Sequence, residues 1–216
     1  MKYTGKKRRN IQYIIGLFVM ALGIVLIKKA GVGVSPISVI PSVLSTIFPL
    51  SFGVMTIFFQ LICFALIFVV LRTANLKTVL IMPIAIVFGF IIDFYMYLLP
   101  IGEPPIVLRY VVCLAGIAGT AMGIVIITGT DLMLPAGDAL IRAISQTYHW
   151  PLSRVKIMGD AVYVVIALII ELSYFHYLDS VWIGTILSVL LTGFFVGRFG
   201  KWFPRLNMKR EEAPAS

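Results

Sequence analysis

From Phe52 to Leu71 the chain reads FGVMTIFFQLICFALIFVVL, twenty residues without one charge. A helix of that length, at ~1.5 Å per residue, spans about 30 Å, the thickness of bilayer hydrocarbon. Six runs of this kind qualify as spans, at about 11–28, 52–72, 78–99, 107–128, 154–174 and 181–200. Composition agrees: 60% of the 216 residues are hydrophobic, 12% are charged, and mean hydropathy is +1.03. Soluble domains carry about a quarter charged residues. A transmembrane barrel would alternate polar and apolar residues in short segments, which LICFALIFVVL does not do. The sequence predicts an all-α, polytopic membrane protein with the lipid bilayer as its first partner.

The net charge of +9 does not point to nucleic acid, because the basic residues sit in tails and loops between the apolar runs. There they set topology. With the amino terminus in the cytoplasm, fifteen Lys and Arg fall on that side: Lys2, Lys6, Lys7, Arg8, Arg9, Arg72, Lys77, Arg142, Arg154, Lys156, Arg198, Lys201, Arg205, Lys209 and Arg210. Only Lys28, Lys29 and Arg109 fall outside. The start MKYTGKKRRN followed by IQYIIGLFVMALGIVLI resembles a signal peptide. No small-residue cleavage site follows, so it reads as a retained first helix. Promoting 35–50 and 135–150 to spans would bury Arg142 in mid-membrane, at ~2.5–3.5 kcal/mol, and six spans is the better count. Both termini are expected in the cytoplasm.

Residues 30–53, AGVGVSPISVIPSVLSTIFPLSFG, are apolar yet hold three prolines. A second stretch of the same kind lies near 129–150, and the two belong to an internal repeat. Leu22-Gly23-Ile24-Val25-Leu26-Ile27 matches Met122-Gly123-Ile124-Val125-Ile126-Ile127. SPISVIPSVLS parallels PAGDALIRAIS, Pro49-Leu50-Ser51 parallels Pro151-Leu152-Ser153, and VFGFIIDF parallels LTGFFVGRF. The chain therefore divides into a first three-span unit (1–103), a second (104–203) and a cytoplasmic tail (204–216). Three spans per unit invert the second unit relative to the first. Each broken stretch then becomes a short half-helix with a proline near its first turn, Ser35-Pro36 serving as N-cap and N1 in one. Two placements are open: entry into the membrane from opposite faces, or helices lying flat on the two surfaces.

GVSPISVIPSVLS followed by PLSFG, then FGFIIDFYMYL, resembles the YczE-type branch of the YczE/YitT-like bacterial membrane proteins. LPAGDAL, VKIMGDAVYVVIALI and IGTILSVLLTG resemble that branch's later motifs in order. The resemblance covers nearly the whole chain and implies a small multi-spanning protein of the bacterial cytoplasmic membrane. It supplies no mechanism. Where the branch commonly has an Arg-Glu pair before Gly-Thr, this chain has Val181-Trp182-Ile183-Gly184-Thr185.

Ionisable residues within spans default to functional candidates. Asp93 falls late in the third run, Asp160 early in the fifth, and Gln60 in the middle of the second. Asp138 falls in the first turn of the second half-helix, where a carboxylate complements the helix dipole. Ser35, Ser38 and Ser42 supply hydroxyls in the first. These seven form the expected substrate or ion pathway. Glu171 reads as interfacial, and His149 beside Trp150 as part of an interfacial aromatic cluster. Gly119-x-x-x-Gly123 and Gly193-x-x-x-Gly197 read as helix-packing faces, within a monomer or between copies. Cys63 and Cys113 lie in apolar runs with no disulfide or metal spacing, and no motif implies a cofactor or a P-loop.

Three function classes compete. Inverted repeats with interrupted helices are the pattern of secondary transporters, which would make the partner a small molecule or ion. An intramembrane aspartyl protease needs two carboxylates ~3 Å apart. Asp160 and Asp93 sit ~13 Å apart along the membrane normal, so no enzyme is expected. An accessory protein acting through a membrane partner or a homo-oligomer is the alternative to transport.

Overall fold

The computed structural model describes residues 2–71, 80–100, 102, 105–130, 132–175 and 183–202. Arg72, Lys77 and the tail 204–216, used in the topology reading, and Val181 and Trp182, used in the resemblance, lie outside the described residues. Among the described residues there are eight α-helices and no strand. They are α1 (Lys2–Lys29), α2 (Val39–Ile47), α3 (Phe52–Leu71), α4 (Ile81–Leu98), α5 (Ile106–Thr128), α6 (Ala136–Thr147), α7 (Leu152–Phe175) and α8 (Ile183–Trp202).

Five of these, α1, α3, α4, α5 and α8, are long and apolar enough to cross a membrane. The chain is therefore an integral, multi-pass membrane protein. The remaining long helix, α7, has 24 residues but carries Arg154, Lys156, Asp160 and Glu171. Large apolar side chains cover the outer faces, among them Phe58, Ile62 and Val69 on α3, Phe90 and Phe94 on α4, and Val162, Ile166 and Ile169 on α7. Exposed to water they would form an untenable patch. Against lipid they are at home.

The prolines that made 30–53 a poor spanning helix are placed where a helix tolerates them. Pro36 opens a single 3-10 turn, Pro36–Ser38, and Pro41 is the third residue of α2. Neither position needs the missing N–H, because first-turn amides have no intrahelical partner. Phe48 then turns extended (φ −102°, ψ 145°) ahead of Pro49 and ends α2. Pro135 sits one residue before α6, and its carbonyl accepts the N–H of Ala139 at 2.9 Å. Ser35 and Ser38 occupy cap positions without making a side-chain cap bond. The expected Ser35 cap is therefore positional only, with the proline doing the pre-organising.

The two short helices do not lie flat on the molecule. Val39 through Val43 of α2 and Ala136 through Ile141 of α6 are buried, whereas Phe48, Leu50, Tyr148 and Trp150, at their far ends, are exposed. Each runs from the interior outwards.

The most extensive helix pair is α1 on α5. Glycines bring the two backbones together. A Cβ on Gly23 would stand 2.3 Å from the backbone nitrogen of Thr120, and one on Gly123 would stand 2.6 Å from Cα of Met20. Around this pair, α4 packs on α1 and α8 on α5. α3 contacts α2, α4 and α6, while α7 contacts α6, α8 and α2.

Candidate functional site

The starts of the two short helices meet. A Cβ built on Gly137 would lie 2.7 Å from Cδ1 of Ile37, so glycine lets the isoleucine of the opposite half pack directly on the backbone here. A small cavity opens there, lined by Ile37 and Ser38 from the first half-helix and Pro135 and Gly137 from the second. Met20, Ile24, Thr56, Phe59, Gln60 and Phe88 close it from α1, α3 and α4. Its volume of about 10 Å³ is close to what one water needs.

Gln60 ties α3 to the second half-helix. Its Oε1 accepts the backbone N–H of Ala136, the first residue of α6, at 2.8 Å. That satisfies one of the amides every helix start leaves unpaired. The residue is 3% exposed, and its Nε2 has no hydrogen-bond partner.

Beside this helix start lies a charge cluster. The Lys156 ammonium donates to Asp138 Oδ1 at 2.8 Å and to Asp160 Oδ1 at 2.9 Å. The two carboxylate side chains are 8% and 7% exposed, while that of Lys156 is 29% exposed. The lysine is therefore the most exposed member of the cluster. Asp138 Oδ2 is buried without a partner. The Tyr163 hydroxyl donates to the Gly137 carbonyl at 3.3 Å, and its ring meets Phe59 edge-on at 5.3 Å. The walls around the cluster are thus held by α3, α6 and α7 together.

The seven sequence-predicted residues divide. Gln60, Asp138, Asp160 and Ser38 come together around the start of α6 and its cavity. Ser35 is buried just ahead of the first half-helix. Ser42 lies one turn further along, where its hydroxyl accepts from Lys28 Nζ at 2.7 Å, the same ammonium sitting 4.6 Å from the centre of the Phe52 ring. Asp93 stands apart. It accepts the Gly53 N–H at 2.7 Å and the Ser51 hydroxyl, and so holds the first turn of α3 against α4. Its carboxylate is a helix-start anchor.

Two charged residues have surroundings that the sequence did not show. Lys156 was counted as a topology-setting charge, yet it bridges the two aspartates. Its place four residues before Asp160, one helical turn, was the available signal. Glu171, read as interfacial, is fully buried. A charge count along a run registers neither neutralisation nor facing.

The glycine motifs also divide. Gly119 and Gly123 face α1, whereas Gly193 and Gly197 have nothing within 4 Å of a built Cβ. Cys63 and Cys113 are free and buried. Among the described residues no three His, Cys, Asp or Glu gather as a metal site.

One protein-family model matches residues 7–201, that of a family of unknown function, DUF6198. The chain belongs to this family. The DUF6198 match covers all eight helices except the first residues of α1 and the last of α8, so the site just described lies wholly within it. The match carries no activity and does not bear the YczE/YitT name. No curated protein and no solved structure matches the chain.

Proposed function

We propose that this DUF6198 protein is a small-solute transporter of the bacterial cytoplasmic membrane, built from two inverted three-span units, with both termini in the cytoplasm. The observation that carries the reading is the meeting of Ile37 and Gly137. These are equivalent positions of the two halves, and they touch at a cavity lined from both. Transporters of inverted-repeat design place their sites where interrupted helices converge near the bilayer midplane. Irregular backbone at that depth is tolerated where protein or a polar cavity satisfies it.

The packing supports the pseudo-symmetry. Exchanging α1 with α5, α2 with α6, α3 with α7 and α4 with α8 carries the main helix contacts onto one another, the α4–α6 contact being matched by one from α8 to the 3-10 turn ahead of α2. The fit extends to residues: Gly16 faces Ile127 as Gly116 faces Ile27. Under this reading α7 is the sixth span. Its charges are compatible with the membrane because Lys156 is paired with Asp138 and Asp160 while Val162, Ile166 and Ile169 face lipid. The excess of basic residues in segments assigned to the cytoplasm supports the orientation.

The reading assigns no catalysis. Asp93 is engaged at the start of α3 and Asp160 with Lys156, so the two aspartates form no dyad. The unpartnered Gln60 Nε2 and Asp138 Oδ2 offer a donor and an acceptor to a solute once the cavity widens. The likeness to YczE-type proteins fits this membrane placement and names no substrate.

The test is a thermal-shift screen of the purified protein against metabolites, vitamins, amphipathic drugs and ions, followed by flux of each hit in proteoliposomes. Transport predicts a hit whose flux per folded molecule is abolished by Asp138→Asn or Gln60→Ala. Co-purification of a membrane partner with no flux for any hit would favour the accessory role instead.

A further inference from the structure

The charge cluster has more anion than cation. Lys156 Nζ is shared by Asp138 and Asp160 at 2.8 and 2.9 Å, which leaves one formal negative charge over when all three are ionised. An uncompensated charge away from water is costly, and the usual remedy is a proton or a counter-ion. A metal ion is a poor fit. An ammonium already occupies the space between the carboxylates, and among the described residues no three His, Cys, Asp or Glu gather there.

The two carboxylates are not equivalent. Asp138 lies in the first turn of α6, where a carboxylate complements the helix dipole. Asp160 lies within α7, eight residues past its start, and has no such help. The groups around Asp160 are few. Asp138 faces it from α6, and Lys156 and Tyr163 from its own helix. Cys63 on α3 lies beside Tyr163 and Asp138. α2 carries no titratable residue, and α8 none before Arg198. Lys156 is the most exposed of the three side chains, at 29%.

We propose that Asp160 is the seat of an exchangeable proton and that transport by this protein is proton-coupled, an inference that rests on the transport reading above. In the exchange the Asp160 carboxylate takes a proton from hydronium, leaving a neutral carboxylic acid and water. Lys156 then pairs with Asp138 alone. Loss of the proton to water restores the shared pair. The lysine thus has two discrete arrangements, and the proton selects between them.

The proposal is tested by infrared difference spectroscopy of the full-length protein reconstituted in lipid, titrated across the physiological pH range in H₂O and D₂O. The expected result is one carboxylic-acid carbonyl band that titrates and shifts in D₂O. Asp160→Asn should remove it entirely, and Asp138→Glu, which keeps the charge of the cluster, should leave it in place. Asp160→Glu, which keeps the carboxyl group, should move the band, and it covers the case in which Asp160→Asn does not fold. A wild-type spectrum without a titrating band, or a band that survives Asp160→Asn or is unmoved by Asp160→Glu, overturns the proposal. The spectrum is read without any substrate, so a titrating band with no flux removes transport and keeps the proton site. Flux without a band does the reverse.

Discussion

The side-chain oxygen of Gln60 accepts the first backbone N–H of α6, that of Ala136, at 2.8 Å. One glutamine on a spanning helix thereby fixes where the second half-helix begins, and with it the position of Asp138 two residues on. Gln60→Leu removes the acceptor and leaves that amide buried and unpaired. The expected loss is about 1–3 kcal/mol, read as a lowered denaturation midpoint in detergent. A midpoint equal to wild type would show that α6 does not depend on the bond.

Lys156 is the next point of leverage. Lys156→Met leaves two buried carboxylates facing each other, and breaking a buried pair in this way costs about 3–5 kcal/mol. Adding Asp160→Asn to that variant removes one of the stranded charges and should recover part of the loss. The double-mutant cycle checks this directly. Simple additivity of the two substitutions would mean that Lys156 and Asp160 do not interact.

Asp93 is expected to behave as an anchor, with no part in transport. Asp93→Ala strips the acceptor from Gly53 and Ser51 at the start of α3. A stability loss of about 1–2 kcal/mol is expected, while flux per folded molecule stays at the wild-type level. A variant of full stability and no flux would return Asp93 to the pathway.

The glycines give a contrast within one experiment. Gly23→Ala drives a methyl against the backbone nitrogen of Thr120 at 2.3 Å, where no flexible side chain can yield. Overpacking of that kind costs about 1–3 kcal/mol. Gly193→Ala meets nothing within 4 Å and should change stability by less than about 0.5 kcal/mol. Comparing the two denaturation curves in one detergent tests the α1–α5 contact.

Much of this architecture was legible in the sequence because membrane helices are written in long apolar runs, and five of the six expected spans are helices that satisfy length and apolarity. The half-helices could be read as well. A proline is tolerated in a first turn and little further, so Pro36 and Pro41 mark where α2 starts, as Pro135 marks the start of α6. What stayed hidden depends on contacts across distant sequence. Nothing local to Asp93 says that its partner is the Gly53 amide forty residues away. Nothing local to Gln60 points to Ala136. The pairing of Lys156 was hidden because a lysine near the end of a run looks the same whether or not it faces a pair of aspartates.

The central claim is that the two units are oppositely oriented, with half-helices running outwards from a shared centre to different faces of the membrane. Phe48 and Tyr148, equivalent residues just past the ends of α2 and α6, are 50% and 58% exposed. The measurement is labelling of Phe48→Cys and Tyr148→Cys with a membrane-impermeant thiol reagent, in a background with Cys63 and Cys113 replaced by serine. The account predicts that Phe48→Cys reacts only from the outside of intact cells and Tyr148→Cys only from the cytoplasmic side of inverted vesicles. Reaction of both from the same side would contradict it.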